Sequence, residues 1–245
     1  MYLTNITLWE DCYEGHEIDK FSEYILQGKK VNDKDKKLEN LNQVKKKCFY
    51  AQSWTKANNE SDAMWRIYSR QKTGVRIKIK TSDIINCLLP LLDLYDNQYV
   101  ELYGGDIMYD GLIDYERYRL DVSKSAGSSL RAYNVSEMPF IFIKRKAFIH
   151  EEEYRFSIKL NFQKMCEKAV EVAKEGEILN ELLKYKWSQI INYSMPNKLI
   201  QEVLLDPRAT HFEETFIRYC ENRGLKKNGT VFEKSKLYEL PKSII

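Results

Sequence analysis

A chain of 245 residues is long enough to bury a substantial apolar core, and 43% hydrophobic with 31% charged residues separates it from disordered chains. Lys and Arg outnumber Asp and Glu by only 39 to 36, so bulk charge neither requires a nucleic-acid partner nor excludes a local basic groove. Five scattered cysteines without a C-x-x-C pair predict reduced thiols and a cytoplasmic setting. The opening MYLTNITLWEDC lacks a basic segment leading into an apolar one, and no run approaches the roughly 18 apolar residues of a membrane span.

The first eight residues alternate loosely and lead into Trp9-Glu10-Asp11-Cys12-Tyr13-Glu14-Gly15, which reads as a short strand ending in a turn. Polar helices are expected at 19–26 and 35–46, their lysines forming a solvated face. Residues 48–55, CFYAQSWT, have the aromatic and compact character of a buried strand. A helix carrying Ser61 to Tyr68 should follow, capped by Asn58 or Asn59 and favoured by Glu60 and Asp62 at the positive end of its dipole. After Gly74, Val75, Ile77 and Ile79 alternate with Arg76, Lys78 and Lys80 as in a half-buried strand.

Thr81 or Ser82 should cap the next helix, with Pro90 predicting a kink or an end. QYVELYGGDIMYDG reads as one or two strands broken at Gly104-Gly105. Residues 113–123 are expected to be helical, followed by an exposed loop SKSAGSSLRAYN. The apolar run PFIFIKRKAF suggests a central strand. EYRFSIKLNF alternates cleanly, placing Tyr154, Phe156, Ile158 and Leu160 on one face and Glu153, Arg155, Ser157 and Lys159 on the other. Helices at 163–175 and 178–192, a strand at 199–205 stopped by Asp206-Pro207, a helix near 211–222 and a short strand near Val231 complete the chain.

Strands and helices are interspersed without a βαβ rhythm. The pattern predicts an α+β fold, a single domain over 1–245 with a mixed or largely antiparallel central sheet flanked by helices. No G-x-G-x-x-G or G-x-x-x-x-G-K-[ST] occurs, which disfavours dinucleotide-fold and P-loop chemistry.

Two constellations carry the candidate chemistry. Ser61, Trp65 and Tyr68 fall at i, i+4 and i+7 on one helical face. Against core packing stands a semi-polar wall on which a planar ring stacks, with hydroxyls supplying hydrogen bonds and Arg66 reaching a phosphate or an acid. The densest ionisable cluster is His150 to Arg155. As a strand it would project Glu151, Glu153 and Arg155 to one side, where neighbouring carboxylates push their pKa values apart unless a cation separates them. Against a surface ion pair stands an anion-binding groove completed by Lys144, Arg145 and Lys146. Asp106, Asp110 and Asp114 lack the ligand density of a Ca²⁺ loop, and three histidines support no zinc site, so no metal is expected.

Taken together, Trp9-Glu10-Asp11-Cys12-Tyr13-Glu14, Ser53-Trp54-Thr55, Glu60-Ser61-Asp62-Ala63-Met64-Trp65-Arg66-Ile67-Tyr68, Gly74-Val75-Arg76-Ile77 and Lys146 to Arg155 resemble, in order, the motifs of a widespread bacterial and phage domain of unknown function. The resemblance covers roughly residues 1–210, leaving a C-terminal helix and short strand. Cys12 stands where that family usually has proline. A looser similarity is to ADP-ribosyltransferases, in which a Glu-x-Glu loop enters a strand and a Ser/Thr-rich strand precedes it. The resemblance implies Glu153 as stabiliser of an oxocarbenium-like centre and Glu151 as the group that orients or deprotonates the acceptor. Tyr68, a third catalytic candidate, and Trp65 would hold nicotinamide, and Arg66 or Arg155 the pyrophosphate. With Ser53, Thr55 and Ser61 beside the cofactor and Trp9, Asp11, Glu14 and Lys144 beside the substrate, the expected activity is transfer or hydrolysis of NAD or another nucleotide. Its expected place is in defence or toxin systems, with a protein or nucleic-acid acceptor and no membrane. A metal-dependent nuclease using Glu151, Glu153 and Lys159, and a non-catalytic nucleotide or nucleic-acid binding module, are the alternative expectations. The sequence is silent on oligomeric state.

Overall fold

A computed structural model describes residues 1–9, 46–94, 100–109, 139–161, 188–210 and 213–239. Among them the strands are, in chain order, β1 (Tyr2–Asn5), β2 (Phe49–Thr55), β3 (Val75–Ile79), β4 (Val100–Asp106), β5 (Met108–Tyr109), β6 (Ile143–Lys144), β7 (Glu153–Leu160), β8 (Ile190–Asn192), β9 (Ile200–Leu205) and β10 (Val231–Lys234). The α-helices are α1 (Asp62–Tyr68), α2 (Thr81–Leu94) and α3 (Glu213–Asn222). The class is α+β. The chain divides into two compact units, residues 1–56 with 90–192 and residues 57–89 with 193–245.

The first unit is built on a five-stranded sheet in the order β4-β7-β2-β1-β8, with every neighbouring pair antiparallel. β7 lies inside it, its Arg155 opposite Ser53 on one side and Gly105 on the other. A cluster of Ile6, Phe49, Ala51, Tyr103, Ile107, Ile141 and Phe142 covers one face, with Trp9, Met108 and Tyr109 packed against it. By the strand register, Phe49, Ala51 and Tyr103 share the face of Glu153, Arg155 and Ser157. The alternating polar row of β7 is therefore interior, and Glu153, Arg155 and Ser157 are all buried. β5 and β6 form a separate parallel pair.

The second unit carries the sheet β10-β9-β3, parallel between β9 and β10 and antiparallel between β3 and β9. The amphipathic α3 contributes Phe216 and Cys220 to a core shared with Val203, Leu205, Ala209 and Leu225.

The strands expected at 48–55, from Val75, from Glu153, at 199–205 and near Val231 form as β2, β3, β7, β9 and β10. Elsewhere the structure corrects the sequence reading. The run from Pro139 is no central strand: it folds as a 3-10 turn (Pro139–Phe142), the two residues of β6, and a second 3-10 segment (Lys146–Glu151). Adjacent Ile141 and Phe142 are both buried in the apolar cluster, and the Ile141 carbonyl accepts from the Arg155 guanidinium. β4 passes unbroken through Gly104 and Gly105, because both lie opposite bulky residues of β7, Phe156 and Arg155. Ser61, rather than Asn58 or Asn59, caps α1 by accepting the Met64 N–H. Neither Thr81 nor Ser82 is the cap of α2, since the Asp83 and Ile84 amides already bond the Lys80 carbonyl. Pro90 does not end α2, where Ile84, Leu88 and Leu91 make a buried i, i+4, i+7 stripe across it. Residues 190–192, expected at the end of a helix, form β8, where only the central Ile191 is buried. The helices expected at 19–26, 113–123 and 163–175, nearly all of that at 35–46, and the loop following 123 lie outside the described residues.

Candidate functional site

Four charged side chains of the first unit meet under the apolar cluster. The 3-10 segment ending at Glu151 turns into β7 through Glu152, which adopts the left-handed conformation with φ 44° and ψ 48°. That geometry costs a non-glycine residue about 1 kcal/mol or more. It is held by the Glu152 N–H donating to Ile149 O at 3.3 Å and by Glu152 O accepting the Lys56 N–H at 3.0 Å. Glu151 is therefore not on the strand with Glu153, as its sequence spacing suggests. The elbow brings the two carboxylates together instead, and the ammonium of Lys144 joins them, 2.7 Å from Glu151 Oε2 and 3.1 Å from Glu153 Oε2.

The other oxygen of Glu153 receives Arg155 Nε at 2.7 Å and a hydrogen bond from the Ser53 hydroxyl on β2. Arg155 also donates to the Ile141 carbonyl, and Trp9 lies on its guanidinium face at 4.3 Å. This arginine is 1% exposed, and its fork is directed at protein acceptors rather than outward to a pyrophosphate. Lys144 also lies over the Phe148 ring at 4.6 Å. Two cations thus match two carboxylates in a site where each buried charge would otherwise cost several kcal/mol, on the order expected for desolvation.

Burial works against the ionised form of Glu153, but the charge of Arg155, the Ser53 hydrogen bond and Lys144 together outweigh it and hold the carboxyl below its ordinary range. The site therefore presents a fixed carboxylate at neutral pH. Ser53 and Thr55 are exposed, and Thr55 lies opposite Glu153 in the β2–β7 register, so the charge cluster approaches solvent at this end of β2.

The remaining predicted residues are placed otherwise. Ser61, Trp65, Arg66 and Tyr68 belong to the second unit. There Ser61 serves as the α1 cap. Trp65 is buried and donates its indole N–H to Glu60 Oε2 at 3.0 Å. Arg66 pairs with Asp62 at 2.7 Å in solvent, and Tyr68 is 65% exposed. Trp65 and Tyr68 therefore do not make one continuous wall, because the i+3 step between them turns the tyrosine out of the core. Asp11 and Glu14 lie outside the described residues. His150 is exposed, and Asp106 lies opposite Tyr154, on the face away from Glu153, beside Lys56 at 2.6 Å.

Two features escaped the sequence reading. Asp206, read only as a strand stop, is fully buried and receives the Arg208 amide at 2.7 Å and its guanidinium at 2.6 and 3.0 Å. Arg208 also caps α1 through the carbonyls of Trp65 and Ser69, at 2.8 and 2.9 Å. Burial opposes ionisation of Asp206, yet hydrogen bonds from Arg208 and Ser69 hold its pKa at about 2. The proximity of Asp206 to Arg208 in sequence was the available signal. The second feature is Tyr109, whose hydroxyl accepts the Glu153 N–H at 3.0 Å. Nothing in its sequence surroundings marks it.

The matched segment of the chain spans the elbow and most of the charge cluster. Residues 64–156 match the family model described as Protein of unknown function (DUF2971). The match includes Lys144, Glu151, Glu153 and Arg155 and leaves Ser53 outside. No curated protein and no solved structure matches the chain. Among the described residues no helix is long and apolar enough to cross a membrane.

Proposed function

We propose that the first unit carries a centre for cleavage or transfer at the N-glycosidic bond of NAD or a related nucleotide, with Glu153 as its principal carboxylate. The observation that carries this reading is the Ser53–Glu153 hydrogen bond across β2 and β7, which fixes a buried, ionised carboxylate behind the exposed Ser53 and Thr55. When the bond from the anomeric carbon breaks, its electron pair leaves with nicotinamide and positive charge develops on the ribosyl ring. A carboxylate already ionised and oriented stabilises that charge without reorganising. Water or an acceptor side chain then adds to the anomeric carbon and releases its proton, and Glu151 orients that nucleophile. The nuclease alternative is less well supported, because the Lys144 ammonium already stands between Glu151 and Glu153 where a divalent cation would have to bind.

The test is incubation of the purified protein with NAD, with and without cell extract as acceptor source, following nicotinamide and ADP-ribose by chromatography. Release is expected, with Glu153→Gln lowering the rate by about 100-fold or more, as for loss of a preorganised electrostatic group. Full turnover by a folded Glu153→Gln protein, or no release under either condition, refutes the reading.

A further inference from the structure

Tyr109 ends β5 beside the charge cluster, half-buried and packed against the apolar cluster that covers this face of the sheet. A phenolic hydroxyl both accepts and donates. Here the oxygen accepts the Glu153 N–H at 3.0 Å, so the proton points elsewhere, and among the described residues it has no acceptor. A half-buried donor left in this state favours a partner from solvent or from a ligand. The neighbouring donors differ: Lys144 serves Glu151 and Glu153, Arg155 serves Glu153 and Ile141, and Ser53 serves Glu153. Because two cations are matched by two carboxylates, the cluster offers a phosphate little net attraction. An uncharged oxygen is what a lone phenol donor would recognise.

We propose that Tyr109 is the ligand-facing hydrogen-bond donor of this site, giving its phenolic proton to a hydroxyl or carbonyl oxygen on an uncharged part of the ligand. The inference rests on the glycosidic reading above for its choice of probe. Burial keeps the phenol protonated well past neutral pH. Glu153 and Glu151 act in the same direction, while the Glu153 N–H and Lys144 oppose them without reversing the sign. Tyr109 is accordingly a donor and never a base under physiological conditions.

The experiment uses protein carrying ¹³C at the tyrosine Cζ, in which the Tyr109 resonance is the one missing from Tyr109→Phe. NAD is titrated in while nicotinamide release is followed in parallel. The expected result is a saturable shift of this resonance and about tenfold weaker NAD binding by Tyr109→Phe, the effect of one neutral hydrogen bond. A resonance that NAD leaves unmoved overturns the inference, as does a moved resonance with unchanged affinity in the phenylalanine variant. Release with an unmoved resonance would sink the Tyr109 role and keep the glycosidic reading. A moved resonance and weakened variant without release would keep Tyr109 as donor and remove that reading.

Discussion

Replacing Arg155 by methionine tests whether the charge cluster is held as described. The substitution keeps an unbranched chain but strips Glu153 of a hydrogen bond and a second ion-pair contact, the Ile141 carbonyl of its donor and Trp9 of its cation. Removing one partner of a buried ion pair typically costs about 3–5 kcal/mol. Lys144, still 3.1 Å from Glu153 Oε2, retains part of the compensation. The expected loss is therefore about 3 kcal/mol, which for a chain of this size lowers Tm by roughly 6–12 °C. Urea titrations followed by circular dichroism at pH 7 measure it. Because the folded pKa of Glu153 is depressed, its stabilisation is present above the ordinary carboxyl pKa, 4.5, and fades as pH falls through the folded value. The gap between wild type and Arg155→Met should therefore narrow below about pH 4. The double variant Glu153→Leu/Arg155→Met, which removes both charges, should recover much of the loss. A single-variant cost under about 1 kcal/mol, or a double variant as unstable as the two singles summed, would refute this account.

The second unit offers two further tests. Asp206 is ordinarily a group of pKa 3.8 and is held at about 2, so its pairing contributes about 2 kcal/mol above pH 4 that disappears between pH 4 and pH 2. Asp206→Asn should accordingly lower the urea midpoint at pH 7 and converge on wild type near pH 2, and a gap independent of pH would contradict the assignment. At Gly74, an added Cβ would stand 2.7 Å from both Cβ and Oγ of buried Ser69, whose hydroxyl accepts the Gly74 N–H at 2.9 Å. Gly74→Ala should cost about 1–3 kcal/mol, and Ser69→Gly in the same chain should recover part of it, as read by thermal unfolding; a neutral Gly74→Ala would show that the contact relaxes freely.

By itself the sequence determined the strands whose residue pattern is local. The alternation in residues 153–160 and 75–79, and the compact aromatic run 49–55, are sufficient to mark strands because a pleated strand points successive side chains to opposite faces whatever covers them. It also marked Ser53, Lys144, Glu151, Glu153 and Arg155 as site candidates, since ionisable clustering is local. Tertiary structure alone decided what covers each face. The Glu153–Arg155–Ser157 row reads as one polar face, open to a surface ion pair or an anion-binding groove, yet Ile141, Phe142 and Trp9 from other segments make it interior. The left-handed turn at Glu152, the cation between two carboxylates and the Glu153 N–H received by Tyr109 likewise depend on which strands become neighbours. That pairing is fixed by long-range register, and no periodicity within a single segment encodes it.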